Sequence, residues 1–383
     1  MDYQAIARRE LDVMGAFRSP WLRSAFDAVD REAFAPDAFW GYDTDEHGRH
    51  VVIDKAADAD AWRRAVWNTH RSLITQMDDG VTAEQGPLKG DFTSSISALD
   101  IVLEKLNQLE VEPGHSHGVL HIGTASGYDS AVLSEVVGSE NLTTIEFDPV
   151  LAARGAKNLR GAGYTPTVIC GDGLEGWVAT APYDRVISTA AVRSIPRQWR
   201  EKSRDGAIVL VPFNTLYARG GLLKLRVRGG VASGRFVGGA CYMWVRSHRP
   251  KNQLMPPVDS RKDASPIDPE EILGRGWAQD FALGLYLPDV SLSHRGEGED
   301  RQVQLWDEEG TSVAIVNYDE WWRGRAVTVY GERNLWAELV GAYSAWCLSG
   351  RPDYRRFGLT YDEAGEHLWL KHPADVLRSR PTW

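Results

Sequence analysis

Glu146 and Asp172 each stand at the end of a short apolar run, and a Gly123-x-x-x-Gly127 turn ends a third run, Val119–Ile122. Carboxylates at strand ends can accept hydrogen bonds from ribose hydroxyls or from the amino group of a base. Glycines allow positive φ and a close backbone approach to a ligand. A glycine turn alone is an unspecific signal. The spacing adds weight: Leu142–Glu146 delivers its acid about 20 residues after the turn, where a ribose-binding carboxylate stands in a nucleotide-binding sheet. Val168–Cys170 then runs into Gly171-Asp172-Gly173. Three strand ends in series, two of them acidic, predict a ribose-and-adenine site on the carboxyl edge of a parallel sheet.

The elements that must position these residues can be read around them. An apolar helical pattern (Ala131, Val132, Leu133, Val136, Val137) follows the turn, as in the first unit of a doubly wound sheet. Asp184–Ala191 reads as a fourth strand and Ala207–Phe213 as a fifth. A dinucleotide calls for a pyrophosphate grip, usually Gly-x-Gly-x-x-Gly. Here Ala125 takes the middle position and no third glycine follows. A cofactor with one ribose, an adenine and no phosphates fits better, which points to S-adenosylmethionine, with S-adenosylhomocysteine as its product.

Taken together, residues 119–137, 142–146, 171–173, 176–177, 181–191 and 195–196 resemble the protein-L-isoaspartate O-methyltransferase family. That family's Ile-Gly-Thr-Gly-Ser-Gly-Tyr, Ile-Glu, Gly-Asp-Gly and Ala-Pro-Tyr-Asp followed by Thr-Ala-Ala all have counterparts, and Ala25-Phe26-x-x-Val29 with Phe34-Ala35-Pro36 echoes its N-terminal segment. The resemblance covers roughly residues 15–250. It implies an α/β fold: a doubly wound, Rossmann-like class I methyltransferase sheet with an N-terminal helical segment. An appended C-terminal α+β domain lies outside its reach. It also implies a cofactor site drawn from His121, Gly123, Thr124, Ala125, Gly127, Tyr128, Glu146, Phe147, Gly171, Asp172 and Gly173. Ser94-Ser95-Ile96-Ser97-Ala98 is similar to the family's Thr-Ile-Ser-Ala-Pro element, whose serine lies beside the methyl-accepting carboxylate. This implies that Ser97, with Ser95 and Ser94 behind it, forms the catalytic set. The other role open to these serines is capping, with Ser94 or Ser95 opening a 97–109 helix. Departures are His121 for an acid, Ala125 for a glycine, Leu99 for a proline, and an Asp-rich insertion over 43–72.

The chemistry asks little of the protein beyond placement. A carboxylic acid with reference pKa near ~4 is already ionised at neutral pH, so a methyl displacement from a sulfonium needs alignment and not a general base. Which carboxylate is accepted divides the readings. An aspartate of a ribosomally made, modified precursor peptide would lead to aspartimide or isoaspartate. An L-isoaspartyl group in an aged protein would lead to repair. A methyltransferase-like binding protein without catalysis is a third reading. The long C-terminal extension favours the first, because the chain resembles the C-terminally extended family members of modified-peptide pathways more than compact repair enzymes, and a generalist repair enzyme has no need of a docking domain.

Composition bounds the rest. A chain of 383 residues has room for two domains. The expected division is a methyltransferase domain over 1–250 (1–92 an N-terminal helical and inserted segment), a proline-rich linker over 251–269, and a C-terminal α+β domain over 270–383 that could dock a peptide. That last stretch holds 8 of the 15 tryptophans, whose ordinary role is core packing. A net charge of −10 argues against nucleic acid as a partner, and the Arg246–Lys251 cluster reads as a solvated linker. No run reaches the ~18 apolar residues of a membrane span. The N-terminal residues carry no apolar signal core, so a cytoplasmic setting is expected. Cys170, Cys241 and Cys347 are expected as reduced, mostly buried thiols. The pairs His47/His50 and His115/His117 lack the carboxylate or cysteine set of a metal site. The oligomeric state stays open.

Residues 1–40 are expected to be mostly helical, divided at Pro20. Residues 41–92 read as loop-rich with one helix around 61–74. Gly221–Val227 and Gly239–Arg246 read as a closing antiparallel pair joined through Gly229-Gly230 and Val231–Val237.

Overall fold

The structure, a computed structural model, describes residues 1–80, 86–114, 117–250 and 259–380. His115 and residues 251–258 of the expected linker, Lys251 among them, lie outside the described residues. Two compact units divide the chain: residues 1–190, 196–211 and 226–230 form the first, and 191–195, 212–225 and 231 onward the second.

The first unit opens with α1 (Tyr3–Val13) and α2 (Pro20–Ala28), separated as expected, with Pro20 at the first turn of α2 where its missing N–H costs nothing. The insertion is not loop-rich. Strands β1 (Ala38–Thr44), β2 (His50–Asp54), β3 (Leu73–Met77) and β4 (Phe92–Ile96) form an antiparallel sheet in the order β2-β1-β3-β4, and the helix between them, α3, covers only Ala59–Val66. The Asp58 side chain caps α3, accepting from Asp60 N and Ala61 N. The strands escaped notice because β1 and β2 expose several residues to solvent, which blurs their alternation.

Helix α4 (Leu99–Leu109) leads to the parallel strands β5 (Val119–Ile122), β6 (Leu142–Glu146), β7 (Thr167–Cys170), β8 (Tyr183–Ser188) and β9 (Ser203–Phe213). Helices α5 (Tyr128–Val137), α6 (Pro149–Gly161) and α7 (Arg197–Glu201) connect them. The order is β7-β6-β5-β8-β9. Successive units run outward from β5 in both directions, so the strand order reverses between β5 and β8, and ligands of open α/β sheets bind outside the strand ends at such a switch point. Strand β5 is entirely buried, which explains its uninterrupted apolar reading apart from His121. Cys170 is exposed because β7 is the last strand in this order. Cys241 is exposed as well, so the expectation of mostly buried thiols is corrected.

In the second unit β10 (Gly221–Arg228) pairs with β11 (Val231–Gly239). The return strand therefore begins at Val231, and residues 240–243 carry no strand. The cause is the turn: Gly229 and Gly230 take φ of 54° and 78°, the two-residue geometry that reverses a hairpin at once. Strand β11 then pairs antiparallel with β17 (Phe357–Tyr361), and the order continues through β18 (Glu366–Leu370) to β19 (Val376–Arg380). Strands β12 (Ser260–Asp263), β13 (Val290–Arg295), β14 (Gln302–Asp307), β15 (Val313–Asn317) and β16 (Val327–Tyr330) form a separate five-stranded sheet. Helices α8 (Pro269–Ile272), α9 (Trp277–Tyr286) and α10 (Leu335–Leu348) accompany it. Strands β17, β18 and β19 end the unit. Among the described residues no helix is long and apolar enough to cross a membrane, and no group of three acidic, histidine or cysteine side chains is placed to hold a metal ion.

Candidate active site

The glycine turn sits at the switch point. Gly123 has φ 94°, and a Cβ there would lie 2.4 Å from Thr189 Oγ1. Thr189, the first residue after β8, donates its hydroxyl to the carbonyls of Ile122 (2.9 Å) and Gly123 (2.8 Å) and pins the turn from the neighbouring strand. Gly127, φ 95°, would bring a Cβ to 2.9 Å from Leu159 Cγ. Ala125 is also left-handed, φ 46°, a region that costs a side-chain-bearing residue roughly 1–2 kcal/mol. What holds it there is its N–H, which donates to Glu146 Oε2 at 2.8 Å.

Glu146 is nearly buried, and its other oxygen accepts from Asp148 N at 3.0 Å. Each carboxylate oxygen carries two lone pairs, so these backbone bonds leave acceptor capacity for ribose hydroxyls. Gly171 N donates to the Glu146 carbonyl at 2.9 Å, which brings the Asp172 turn alongside. Asp172 is exposed, with Oδ1 accepting from Leu174 N. Phe147, next to Glu146 in sequence, is 53% exposed. Gly173 is buried, and a Cβ there would lie 2.6 Å from Ile122 Cγ2. Its carbonyl accepts from Trp199 Nε1 at 2.8 Å.

Gly123 N and Thr124 N donate to the Ile145 carbonyl, Gly127 N to the Thr124 carbonyl, and Ala125 N to Glu146, so four amides of the turn are engaged inside the protein. Glu146 and Asp172 offer acceptors to the hydroxyls and amino group of a nucleoside. S-adenosylmethionine fits this set.

Three of the expected cofactor residues lie beneath the turn, in the core. Thr124 Oγ1 pairs with Thr144 Oγ1 at 2.7 Å. His121, opposite Thr144 in register, has Nδ1 within 2.9 Å of Ser130 Oγ and 3.1 Å of Thr144 Oγ1, while Nε2 meets no hydrogen-bond partner among the described residues. Burial, with Lys105 nearby, pulls the imidazole down to about 3, so it stays neutral. Lys105 is itself buried, which draws it down to about 8 against the pull of Asp129. Tyr128 is buried, and its phenol is pushed up to about 12.

The serines separate by strand alternation. Ser94 and Ile96 face the core, where Ser94 Oγ accepts from Thr75 Oγ1 at 3.1 Å. Ser95 and Ser97 share the other parity and are half-buried. No serine caps α4. Its N-cap is Ala98, because Ser94 and Ser95 are already committed to the β3 ladder.

Sequence reasoning missed Arg31, which is fully buried. Its Nε donates to the Val66 carbonyl at 2.8 Å and one Nη to the Ser97 carbonyl at 2.7 Å, and the guanidinium lies 4.6 Å from the Tyr128 ring centroid. It ties the serine segment to the helix that follows the glycine turn.

A sequence family described as Protein-L-isoaspartate(D-aspartate) O-methyltransferase matches residues 75–233. A protein-L-isoaspartate O-methyltransferase of Staphylothermus marinus is 38% identical over 141 residues, 35% of this chain and 62% of that protein. One from Methanococcus maripaludis is 39% identical over 148 residues, 38% of this chain and 68% of that protein. A solved structure titled protein-L-isoaspartate O-methyltransferase aligns over 96% of this chain and all of its own, with TM-score 0.55 and 17% identity. That alignment extends the shared fold through the C-terminal region, and the sequence matches place the chain in the protein-L-isoaspartate O-methyltransferase family, whose enzymes are S-adenosylmethionine-dependent carboxyl methyltransferases.

Proposed function

We propose that this protein transfers the methyl group of S-adenosylmethionine to the free carboxylate of L-isoaspartyl residues in proteins and peptides. The observation that carries this reading is the family match over 75–233. That span takes in the serine-bearing strand, the glycine turn, both acids and the switch point. The preference for a modified precursor peptide rested on the C-terminal extension. A solved structure carrying the repair enzyme's name spans that extension too, so the extension no longer favours biosynthesis.

S-adenosylmethionine, when bound, would supply a methyl group on a sulfonium, to be taken up by a carboxylate oxygen as the C–S bond breaks and S-adenosylhomocysteine leaves. The protein's part is alignment and charge management. Glu146 accepts from the ribose and Asp172 from the adenine, with Phe147 against the base. Gly123, Ala125 and Gly127 bring the backbone of the turn close to the cofactor, while His121, Thr124 and Tyr128 support it from below. Ser97, with Ser95 on the same face, donates hydroxyls to the acceptor carboxylate, and Arg31 fixes the Ser97 backbone. The methyl ester that forms is then attacked by the following amide nitrogen, with loss of methanol, giving a succinimide that hydrolyses in part to aspartate.

Paired isoaspartyl and aspartyl peptides assayed by mass spectrometry test this reading. Methylation of the isoaspartyl peptide alone is expected. Methylation of the aspartyl peptide would return the weight to biosynthesis. Cofactor binding without any transfer would mark a non-catalytic relative. Glu146→Ala should weaken S-adenosylhomocysteine several-fold, corresponding to roughly 1–3 kcal/mol for a lost buried acceptor. Ser97→Ala should lower turnover and leave that affinity near wild type.

A further inference from the structure

We propose that Gln76 is a positioning residue that couples the ribose-side carboxylate Glu146 to the serine-bearing hairpin, so that cofactor binding orders the acceptor side of the site. Gln76 lies on β3 opposite Ser94, in the hairpin that carries Ser95 on its second strand. The register of this hairpin slips on both sides of Gln76, between Ile74 and Gln76 and between Gln76 and Met77, leaving Thr75 and Thr93 out of the ladder. Such bulges re-aim side chains next to active sites, and here the two threonine hydroxyls turn to new partners. Thr75 donates to Ser94, and Thr93 Oγ1 donates to Gln76 Oε1 at 3.0 Å.

The far end of the amide reaches the cofactor side. Gln76 Nε2 donates to Asp148 Oδ2 at 3.2 Å, an assignment the chemistry forces because a carboxylate only accepts. Asp148 N in turn donates to Glu146 Oε1 at 3.0 Å, and Glu146 Oε2 holds the glycine turn through Ala125 N. Gln76 and Asp148 are 3% and 5% exposed and Glu146 is 8% exposed, so this chain of bonds runs inside the protein, where each link is strengthened by the low dielectric. Asp148 Oδ1 is tied to Val150 N and Leu151 N at the start of α6, so the carboxylate cannot follow a displaced hairpin without breaking that cap. A ligand that fixes Glu146 therefore fixes Gln76, Thr93 and with them β4. By reciprocity, ordering the hairpin must strengthen cofactor binding by the same factor.

The assignment of β4 to the acceptor rests on the methyltransferase reading, and the test keeps the two apart. Amide hydrogen exchange of residues 91–97 is followed with and without S-adenosylhomocysteine in the wild type, in Gln76→Met and in Gln76→Glu. Gln76→Glu keeps the size and the Thr93 contact and, at a pH high enough to ionise it, sets a second carboxylate against Asp148 in place of the amide donor. The wild-type hairpin should exchange about ten-fold more slowly with ligand bound, and either variant, once shown to melt cooperatively, should lose most of that slowing. In the wild type, S-adenosylhomocysteine should tighten an isoaspartyl peptide at least about five-fold, the low end of ordinary coupling, and the variants should bring this factor close to one. A hairpin that ignores the ligand in wild type, or that responds equally in both variants, overturns the coupling even in an active enzyme. Absence of transfer to any isoaspartyl peptide, with the exchange response intact, would instead fault the proposed reaction.

Discussion

The polar core beneath the glycine turn and the tryptophan-rich C-terminal region solve burial in different ways. In the second unit three indoles each place their one polar atom on one partner: Trp336 Nε1 donates to Ser265 Oγ (2.9 Å), Trp346 to the Pro352 carbonyl (3.1 Å) and Trp369 to Thr360 Oγ1 (3.1 Å). In the first unit Arg31, Lys105 and His121 are buried whole. Arg31 is served by carbonyls far away in sequence, and His121 keeps one ring nitrogen without a partner. An indole needs a single acceptor, six residues away for Trp346 and 71 for Trp336, whereas a buried guanidinium or imidazole has to be supported by several segments at once. The difference teaches where this fold has placed its stability and where it has accepted a cost for the sake of a site.

The sharpest way to break that comparison is to remove one polar anchor from each region. Arg31→Ala strands two buried carbonyls and should cost about 3 kcal/mol in urea unfolding. Trp336→Phe keeps most of the ring and should cost about 1 kcal/mol. Equal losses would erase the contrast. Next in size is a pH effect. The unfolded imidazole of His121 takes a proton below its ordinary 6.5, while the buried one resists until about 3. Within that window the unfolded state binds more protons, so stability falls as pH falls. From pH 6.5 to 5 the wild type should lose about 2 kcal/mol more than His121→Asn, read from paired melts.

A smaller effect is expected at Gly155 on α6, where a Cβ would meet the Ala125 carbonyl at 2.7 Å and Thr124 Cγ2 at 2.9 Å. Helix propensity favours alanine there by about 1 kcal/mol, but the overpacking cost exceeds it. Gly155→Ala should lose about 1 kcal/mol net and bind S-adenosylhomocysteine less tightly by calorimetry. The smallest effect belongs to Trp322, 61% exposed. Trp322→Ala should change stability by less than about 0.5 kcal/mol and isoaspartyl-peptide KM by less than two-fold. A large rise in KM would make the second unit a docking surface after all.

The parallel strands were legible to within a few residues because each carries a short apolar run, and β5, β6 and β7 are closed by glycine or an acid. The insertion sheet was not, since β2 is half-exposed and β1 ends in three exposed residues, Asp43 among them. The serines were found by resemblance, but their division into core-facing Ser94 and outward Ser95 and Ser97 needed the β3–β4 register. Arg31 and Gln76 gave no local signal. Each is one polar residue in an ordinary segment, and its partners at Val66, Ser97 and Asp148 come from elsewhere in the chain.

Gly155 has a wider consequence. In the usual nucleotide fingerprint the third glycine sits inside the turn and lets helix and strand close on each other. In this chain the bare Cα that permits close approach to the turn comes from α6, the helix after the second parallel strand, against a carbonyl of the residue that replaced the second glycine. A search that insists on consecutive glycines would discard this sequence, although the backbone surfaces meet as closely as the fingerprint intends. What evolution must preserve here is a distance between two segments, and a drift in one of them can be absorbed only by a matched change in the other.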